Sequence, residues 1–226
     1  SILCMGAEQA VEKDGDKPKQ DAAAAPAVKS LGEQLVELNN QIVLRKFKYD
    51  EQAHKAIMLK ALEIWAYGSD DKSVDPGTAT EVATEAMIGL YPGVADKLAQ
   101  IVPDEKVEMQ KREDAIHYLA FSADRKFLPL YKKMLATNSD AFKYESLGGL
   151  AFIGDKESMG IISNAALSER DGRIQNEAMT LIQLSKTLNE ALDRKLPAAQ
   201  RKKAIDKLRS SGTAAGKCVL EKINFT

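Results

Sequence analysis

The chain is poor in the residues that most often build reactive centres. Its 226 residues include two cysteines, two histidines and one tryptophan, and aromatic residues make up only 6% of the total. Neither His54 nor His117 has a second His or Cys three or four positions away, as a local zinc site would require. No G-x-S-x-G elbow and no signature around either cysteine indicates a nucleophile. We therefore expect a protein that is not an enzyme and that has no metal and no cofactor.

The chain also lacks a long apolar run and a large net charge. No apolar run reaches the roughly 18 residues that a membrane-spanning helix needs. The formal net charge is −1, so the field of the whole molecule favours neither nucleic acid nor acidic partners. The charge is uneven, however, because nine Lys and Arg stand against four Asp and Glu from Asn189 to Thr226. This distribution predicts a basic C-terminal end.

The first 29 residues contain almost nothing that could build a core. The opening SILCMGAEQA is similar to the end of a signal peptide cleaved before Ala7. A second interpretation of this segment is that Cys4 is the lipidated residue of a lipoprotein. The alternative to export is a cytosolic protein whose first residues are left over from processing. Residues 7–29 are polar and rich in Ala and Pro, which predicts a flexible tether. We expect an exported, periplasmic or envelope-associated protein with an N-terminal membrane tether. Whether Cys4 and Cys218 form a disulfide or stay free thiols is open.

Hydrophobic periodicity predicts helices along the remaining chain and no alternating strand. Ser30 and Glu33 have the spacing of a capping box, and Asp50 is placed to cap the following helix. We predict helices at 30–47, 50–67, 78–90, 94–102, 104–121, 126–135, 141–153, 157–167, 173–184, 188–196, 198–209 and 214–223. The sequence therefore indicates an all-α fold.

A six-residue motif occurs twice in the chain, and its spacing predicts the architecture of the fold. LAFSAD (119–124) and LAFIGD (150–155) match at four of six positions and start 31 residues apart. A second shift of 31 places Leu181 over Leu150, while Ile116, Leu147 and Ala178 align three positions earlier. Each copy combines an apolar helix, a turn and a second apolar helix. A unit this small cannot bury its apolar face alone, so the units must stack.

These residues resemble HEAT-type repeats, in particular the short repeats of phycobilisome-lyase-like proteins. YLAFSADRKFLPLYKKML (118–135) and GLAFIGDKESMGIISNAAL (149–167) carry the resemblance, which covers roughly residues 79–186. Gly154-Asp155 matches the Gly-Asp turn of that family, Ala123-Asp124 matches half of it, and Arg173 is a candidate for its arginine. The resemblance implies a right-handed α-solenoid of stacked antiparallel helix pairs that binds other proteins. It supplies no catalytic residues.

Two groups of residues are candidates for partner contacts. Second helices line the concave face in HEAT-like solenoids, so Tyr131, Lys132 and Lys133 are expected to contact a protein there. QRKKAIDKLRSS (200–211) carries Arg201, Lys202 and Lys203, which are candidates for an anionic membrane or nucleic acid. We favour instead a capping helix whose polar face closes the stack. The glycines of GGLAFIG (148–154) are expected to allow close helix packing.

Together these features predict three regions and one main function. Residues 1–29 are a signal remnant and tether, 30–188 a HEAT-like repeat domain, and 189–226 a basic helical cap. The expected function is a non-enzymatic scaffold or adaptor for an unidentified protein partner. One alternative is a structural subunit packed permanently in a larger envelope assembly. A second is a HEAT-like lyase or nucleic-acid-binding protein, which the net charge of −1 disfavours.

Overall fold

The part of the chain that the structure describes is entirely helical. The structure is a computed structural model, and it describes residues 29–193 and 195–211. These residues form ten α-helices, one 3-10 helix and no strand. The α-helices are α1 Leu31–Val43, α2 Glu51–Tyr67, α3 Pro76–Gly89, α4 Val94–Ile101, α5 Met109–Ala120, α6 Leu128–Leu135, α7 Asp140–Ile153, α8 Lys156–Ser168, α9 Gly172–Leu192 and α10 Ala198–Ser211; the 3-10 helix is Arg125–Phe127. The predicted all-α class is confirmed for this part of the chain.

The helices begin where capping residues occur in the sequence. Ser30 and Glu33 form the predicted capping box, with each side chain accepting a hydrogen bond from the other's backbone N–H. The Asp50 carboxylate accepts from the N–H of Ala53, 2.9 Å away, at the start of α2. Asp75 caps α3 in the same way, with Pro76 in its first turn. These side chains satisfy N–H groups that have no partner within the helix.

Several predicted helix boundaries are wrong. The helix predicted over 30–47 ends at Val43. The helix predicted over 104–121 begins only at Met109, because Asp104 organises a separate turn. Its carboxylate accepts from the N–H of Lys106 and its carbonyl from the N–H of Val107, a local alternative to the helix. The helices predicted at 173–184 and 188–196 are one helix, α9, which ends at Leu192. No Gly or Pro interrupts α9 after Gly172, and it therefore runs through the expected domain boundary at 188.

The odd-numbered helices contact one another in chain order. We call α1, α3, α5, α7 and α9 the odd helices and the remaining α-helices the even helices. Close backbone contacts join α1 to α3, α3 to α5, α5 to α7 and α7 to α9. Each even helix from α2 to α8 also packs against the odd helix that follows it, and α10 packs on α9. The fold thus joins neighbouring helices in series.

The repeated positions of the sequence are equivalent in the core. Leu119, Leu150 and Leu181 are each at most 1% exposed and lie on α5, α7 and α9. Ile116, Leu147 and Ala178 are each 0% exposed on the same three helices. A 31-residue shift therefore moves a residue from one odd helix to the corresponding buried position on the next.

The turn at the end of LAFSAD (119–124) has the same conformation as the turn at the end of LAFIGD (150–155). Ala123 and Gly154 both have left-handed backbones, with φ angles of 50° and 67°. Each is followed by an aspartate that caps the next helix, Asp124 accepting from the N–H of Lys126 and Asp155 from that of Ser158. Left-handed backbone is easy for glycine and strained for alanine. Since the geometry is shared, the two turns are structural equivalents despite the Ala-for-Gly difference.

One of the first two glycines of GGLAFIG provides a close helix contact. A Cβ atom added to Gly149 on α7 would lie 2.5 Å from the ring of Tyr131 on α6. A Cβ atom on Gly148 would meet nothing within 4 Å. The predicted packing role therefore belongs to Gly149, which lets the Tyr131 ring lie directly against the α7 backbone.

Candidate partner-binding surface

Tyr131 does not belong to a contact surface, and its predicted role is corrected here. Its side chain is 0% exposed, and its hydroxyl donates to the carbonyl oxygen of Leu119 over 3.1 Å. Burial raises the pKa of this hydroxyl. Its helix neighbours Lys132 and Lys133 are exposed. A tyrosine followed by two lysines is compatible with the core or with the surface, and only the position of Gly149 on α7 decides that Tyr131 is buried.

Exposed ion pairs connect successive even helices. Lys97 on α4 lies 3.8 Å from Glu63 on α2, and Lys126 lies 2.9 Å from Asp96 on α4. Farther along, Lys132 on α6 lies 2.9 Å from Glu157 on α8. Arg125 pairs with Asp155, and also with Glu157 over 2.8 Å. We define the even-helix face as the ten residues of this network, which are Lys60, Glu63, Asp96, Lys97, Asp124, Arg125, Lys126, Lys132, Asp155 and Glu157.

The even-helix face is balanced in charge. It contains five basic and five acidic side chains, each with at least one oppositely charged partner. Exposed pairs of this kind contribute between zero and about 1 kcal/mol each to stability. These ion pairs therefore determine the charge pattern of the surface and contribute little to the stability of the fold.

A small hollow interrupts this face between α2 and α4. Its volume is about 310 Å³, and Ala56, Leu59 and Gly93 supply its apolar lining. Its charged lining consists of Lys60, Glu63, Asp96 and Lys97. Protein contact sites commonly combine apolar and polar groups in this way. The sequence did not reveal this hollow, because α2 lies outside the recognisable repeat and its partner α4 lies in a weak copy.

The basic residues of α10 form a separate surface. Ala204 and Leu208 are 3% and 1% exposed and fix α10 against α9. Lys202 and Lys203 are exposed, whereas Arg201 is half-buried. Arg209 pairs with Asp206 over 3.0 Å. The structure thus separates Arg201, Lys202 and Lys203 from the Lys132–Lys133 pair, and it places them on a helix with one buried and one polar side.

Both histidines have specific neighbours. The Nδ1 atom of His54 accepts a hydrogen bond from the backbone N–H of Asp50 over 2.9 Å. Its ring lies 5.2 Å from that of Phe47, while Tyr49 stacks on Tyr91 at 4.3 Å. His117 Nδ1 lies 3.1 Å from a carboxylate oxygen of Glu145 on α7. These contacts join α2 to the loops beside it and α5 to α7.

The acidic caps have lowered pKa values because they accept several hydrogen bonds. The side chain and the backbone N–H of Arg173 both donate to Asp171 and lower its pKa to about 2. Arg173 also pairs with Asp140 over 2.6 Å and so links the starts of α7 and α9. The N–H of Ser158 lowers the pKa of Asp155, and Arg125 contributes further. These carboxylates stay charged over the physiological range.

Several sequence-based predictions concern residues outside the described part of the chain. Cys4, Cys218, the tether at 1–28 and the predicted helix at 214–223 all belong to this group. Within residues 29–193 and 195–211, no cluster of three or more His, Cys, Asp or Glu could hold a metal ion. None of the helices described there combines the length and apolar character needed to cross a bilayer.

Comparison of the chain with family models, with curated proteins and with solved structures gave no match. The resemblance to HEAT-type repeats remains a hypothesis that depends on the internal repeat alone.

Proposed function

We propose that the chain is a non-enzymatic scaffold or adaptor that binds a protein partner through its even-helix face. In this proposal the helices form a right-handed, HEAT-like solenoid of stacked antiparallel pairs. The observation that carries the proposal is the hollow between α2 and α4, set in a face whose charges are balanced.

The serial contacts of the odd helices support the proposed architecture. In a solenoid each unit contacts only its neighbours, and the buried surface continues from unit to unit. The contacts from α1 through α9 follow this order, and buried residues recur at the 31-residue interval. Such a stack presents one row of helices as an extended surface.

The chemistry of the even-helix face favours a protein partner. A partner with both acidic and basic groups can exchange ion pairs with Lys97, Asp96 or Glu63, while an apolar side chain fills the hollow. Complementary charges of this type raise specificity and association rate more than affinity. We also propose, from the sequence of residues 1–29 alone, that the protein is exported and tethered at a membrane.

Two matched substitutions on α2 test the site. Ala56 lines the hollow and Ala53 does not, although both are exposed on the same helix. The full chain and its Ala56→Arg and Ala53→Arg variants would be tagged in the native cells, cross-linked and purified at moderate salt. Quantitative mass spectrometry would then compare the proteins that co-purify in stoichiometric amounts.

We expect one protein partner with the wild-type chain, at least tenfold less of it with Ala56→Arg, and an unchanged amount with Ala53→Arg. A partner retained equally by both variants would refute the hollow as the contact site. A wild-type chain that purifies alone would refute the scaffold function. Circular dichroism of both variants would show that they retain their helix content.

A permanently packed structural subunit is the second candidate. The outer side of α1 favours it, because Val36, Val43 and Leu44 are 48%, 65% and 62% exposed. Apolar residues gathered at one end of a protein mark an interface more often than scattered ones do. This candidate predicts that the partner stays bound at 1 M salt and that the isolated chain aggregates. The adaptor predicts a soluble monomer whose partner dissociates.

A further inference from the structure

The turn between α1 and α2 exposes apolar and basic side chains next to one another. We define the α1–α2 turn as residues 43–48, which read VLRKFK. Val43 and Leu44 are 65% and 62% exposed, and they are the only sequence neighbours among the large exposed apolar residues of the described chain. The three basic residues that follow them are exposed as well. The packing of the helices gives no reason for this combination.

Backbone hydrogen bonds hold the α1–α2 turn in one conformation. The N–H of Arg45 donates to the carbonyl of Ile42, and the N–H of Lys46 donates to the carbonyl of Gln41, both over 2.9 Å. This pair of bonds is the Schellman motif, whose left-handed residue is usually glycine. Arg45 occupies that position with a φ angle of 54°. The chain thus keeps an arginine where the backbone is strained and where glycine would be more stable.

Two aromatic residues anchor the segment that follows the turn. The Phe47 ring lies 5.2 Å from that of His54, and the Tyr49 ring stacks on that of Tyr91 at 4.3 Å. Side chains alternate in direction along an extended segment. Lys48, which lies between the two anchored rings, therefore faces away from them and is exposed.

The positive charges of the turn are not neutralised by neighbouring acids. Three of its side chains are basic, exposed and without an acidic partner within residues 29–193 and 195–211: Arg45, Lys46 and Lys48. The next acids along the chain are engaged elsewhere, because Asp50 caps α2 and Glu51 lies 2.7 Å from Lys55. On the even-helix face, by contrast, every basic side chain has an acidic partner. The α1–α2 turn therefore offers its charges to an anion outside the molecule.

An anionic membrane surface matches both kinds of exposed group. Apolar side chains of a surface-bound protein enter the boundary between headgroups and acyl chains, while Lys and Arg attract the anionic lipids. Nucleic acid would use the charges through its phosphates and would leave Val43 and Leu44 exposed. Helix α10 also exposes lysines, but none of the large exposed apolar residues lies on it. The α1–α2 turn therefore suits a lipid surface better than α10 does.

We propose that the α1–α2 turn docks the protein on an anionic membrane surface. Val43 and Leu44 enter the headgroup layer, and Arg45, Lys46 and Lys48 contact the lipid phosphates. Because the turn is already fixed by its hydrogen bonds, little conformational entropy is lost on docking. The proposal depends neither on the hollow between α2 and α4 nor on a tether within residues 1–29.

Co-sedimentation of the purified full chain with lipid vesicles tests the proposal. Vesicles of phosphatidylcholine alone would be compared with vesicles of equal parts phosphatidylcholine and phosphatidylglycerol, at about 0.1 M NaCl, where the Debye length is about 10 Å. The test variants are Leu44→Gln and the double variant Lys46→Gln/Lys48→Gln. We expect wild type to bind the anionic vesicles at least tenfold more tightly than the neutral ones, and each test variant to lose about tenfold in affinity for the anionic vesicles.

Two control variants carry the same chemical changes at other exposed positions. Leu167→Gln replaces a leucine that is 83% exposed on α8. Lys202→Gln/Lys203→Gln removes two exposed charges from α10. Both controls should stay within about twofold of wild type, because electrostatic attraction to the surface falls off within a Debye length.

Arg45→Gly separates membrane docking from folding. Glycine relieves the left-handed strain, so the midpoint of urea unfolding should rise. The same change removes one charge from the turn, so affinity for the anionic vesicles should fall about fivefold. Misfolding cannot explain a variant that is more stable and binds less. Unchanged vesicle binding by Arg45→Gly would overturn the role of the turn.

Each contrary result from the vesicles overturns the proposal. Wild type that does not bind anionic vesicles refutes it, and oligomers of the free chain would then assign Val43 and Leu44 to a protein interface. An equal loss in the α10 control would show that binding follows the overall charge of the chain. Binding to a DNA duplex that is tighter than vesicle binding and insensitive to Leu44→Gln would assign the turn to nucleic acid. Circular dichroism would show that every variant is folded.

Discussion

The contacts between successive odd helices differ in kind from the contacts between successive even helices. Successive odd helices approach closely and carry buried residues such as Leu119, Leu150 and Leu181 at equivalent positions. Successive even helices are linked by ion pairs at the surface, such as Lys97–Glu63 between α2 and α4 and Lys132–Glu157 between α6 and α8. Apolar burial contributes roughly 25 cal/mol per Å², whereas an exposed ion pair contributes little. Contacts between successive odd helices therefore contribute more stability than the ion pairs between successive even helices, whose buried residues, such as Leu98 and Ile162, belong to the same core.

The largest expected effect comes from truncating a repeated leucine of an odd helix. Leu150→Ala removes a side chain that is 0% exposed and leaves a cavity in α7. We expect a loss of about 2–5 kcal/mol in the free energy of unfolding. Leu167→Ala on α8 is the control, because that leucine is 83% exposed. Urea unfolding measures both, and equal losses would show that burial of the repeated leucine in α7 does not stabilise the fold.

The contact between α7 and α6 should also depend on a single glycine. Gly149→Ala would place a methyl group against the Tyr131 ring and cost about 1–3 kcal/mol. Gly148→Ala meets open space and should stabilise the helix by up to about 1 kcal/mol. Thermal unfolding should show a lower midpoint temperature for Gly149→Ala and a higher one for Gly148→Ala than for wild type. A stabilised Gly149→Ala variant would mean that Tyr131 moves aside.

The turns that join odd to even helices allow an exchange experiment. Ala123 and Gly154 hold equivalent left-handed positions, so Ala123→Gly should stabilise the protein and Gly154→Ala should destabilise it. Each change is expected to be about 1 kcal/mol. Chemical unfolding of both single variants and the double variant would test this. A destabilising Ala123→Gly would contradict the equivalence of the two turns.

The cap at the start of α9 should make stability depend on acid. The folded pKa of Asp171 is about 2, below its ordinary value of 3.8, so folding favours the charged carboxylate. Its contribution is complete above pH 4 and is lost as the pH falls towards 2. Asp171→Asn keeps a capping side chain but removes this titration. The variant should therefore lose less stability than wild type between pH 4 and 2 in urea titrations, and parallel curves would refute this.

The smallest effect is expected on the even-helix face. Glu157→Gln removes the pairs with Arg125 and Lys132, all of them exposed. We expect a change of less than about 1 kcal/mol at low salt that vanishes at 1 M NaCl. A larger loss that persists in salt would show that the ion pairs support the fold, and the contrast between odd and even helices would then fail.

The sequence predicted those helices whose start depends on neighbouring residues. The first helix is capped by Ser30 and Glu33, and the second is capped by Asp50. These hydrogen bonds form within one turn of the chain, so they can be predicted without any distant contact. Prediction failed at Asp104, whose carboxylate accepts from the N–H of Lys106 and forms a turn where a helix was expected. It failed again within α9, where no Gly or Pro separates the two helices that were predicted. The predicted surface role of Tyr131 failed because its burial depends on Gly149, a neighbour on another helix.

The amino-acid sequence by itself determined the helical class, the 31-residue repeat and the equivalence of its buried leucines. These properties follow from periodicity and capping, which act over a few residues. The tertiary structure alone decided which charged residues meet, that Gly149 rather than Gly148 receives Tyr131, and that a hollow opens between α2 and α4. Residues far apart in the chain create these features, and their distances are fixed only when whole helices pack.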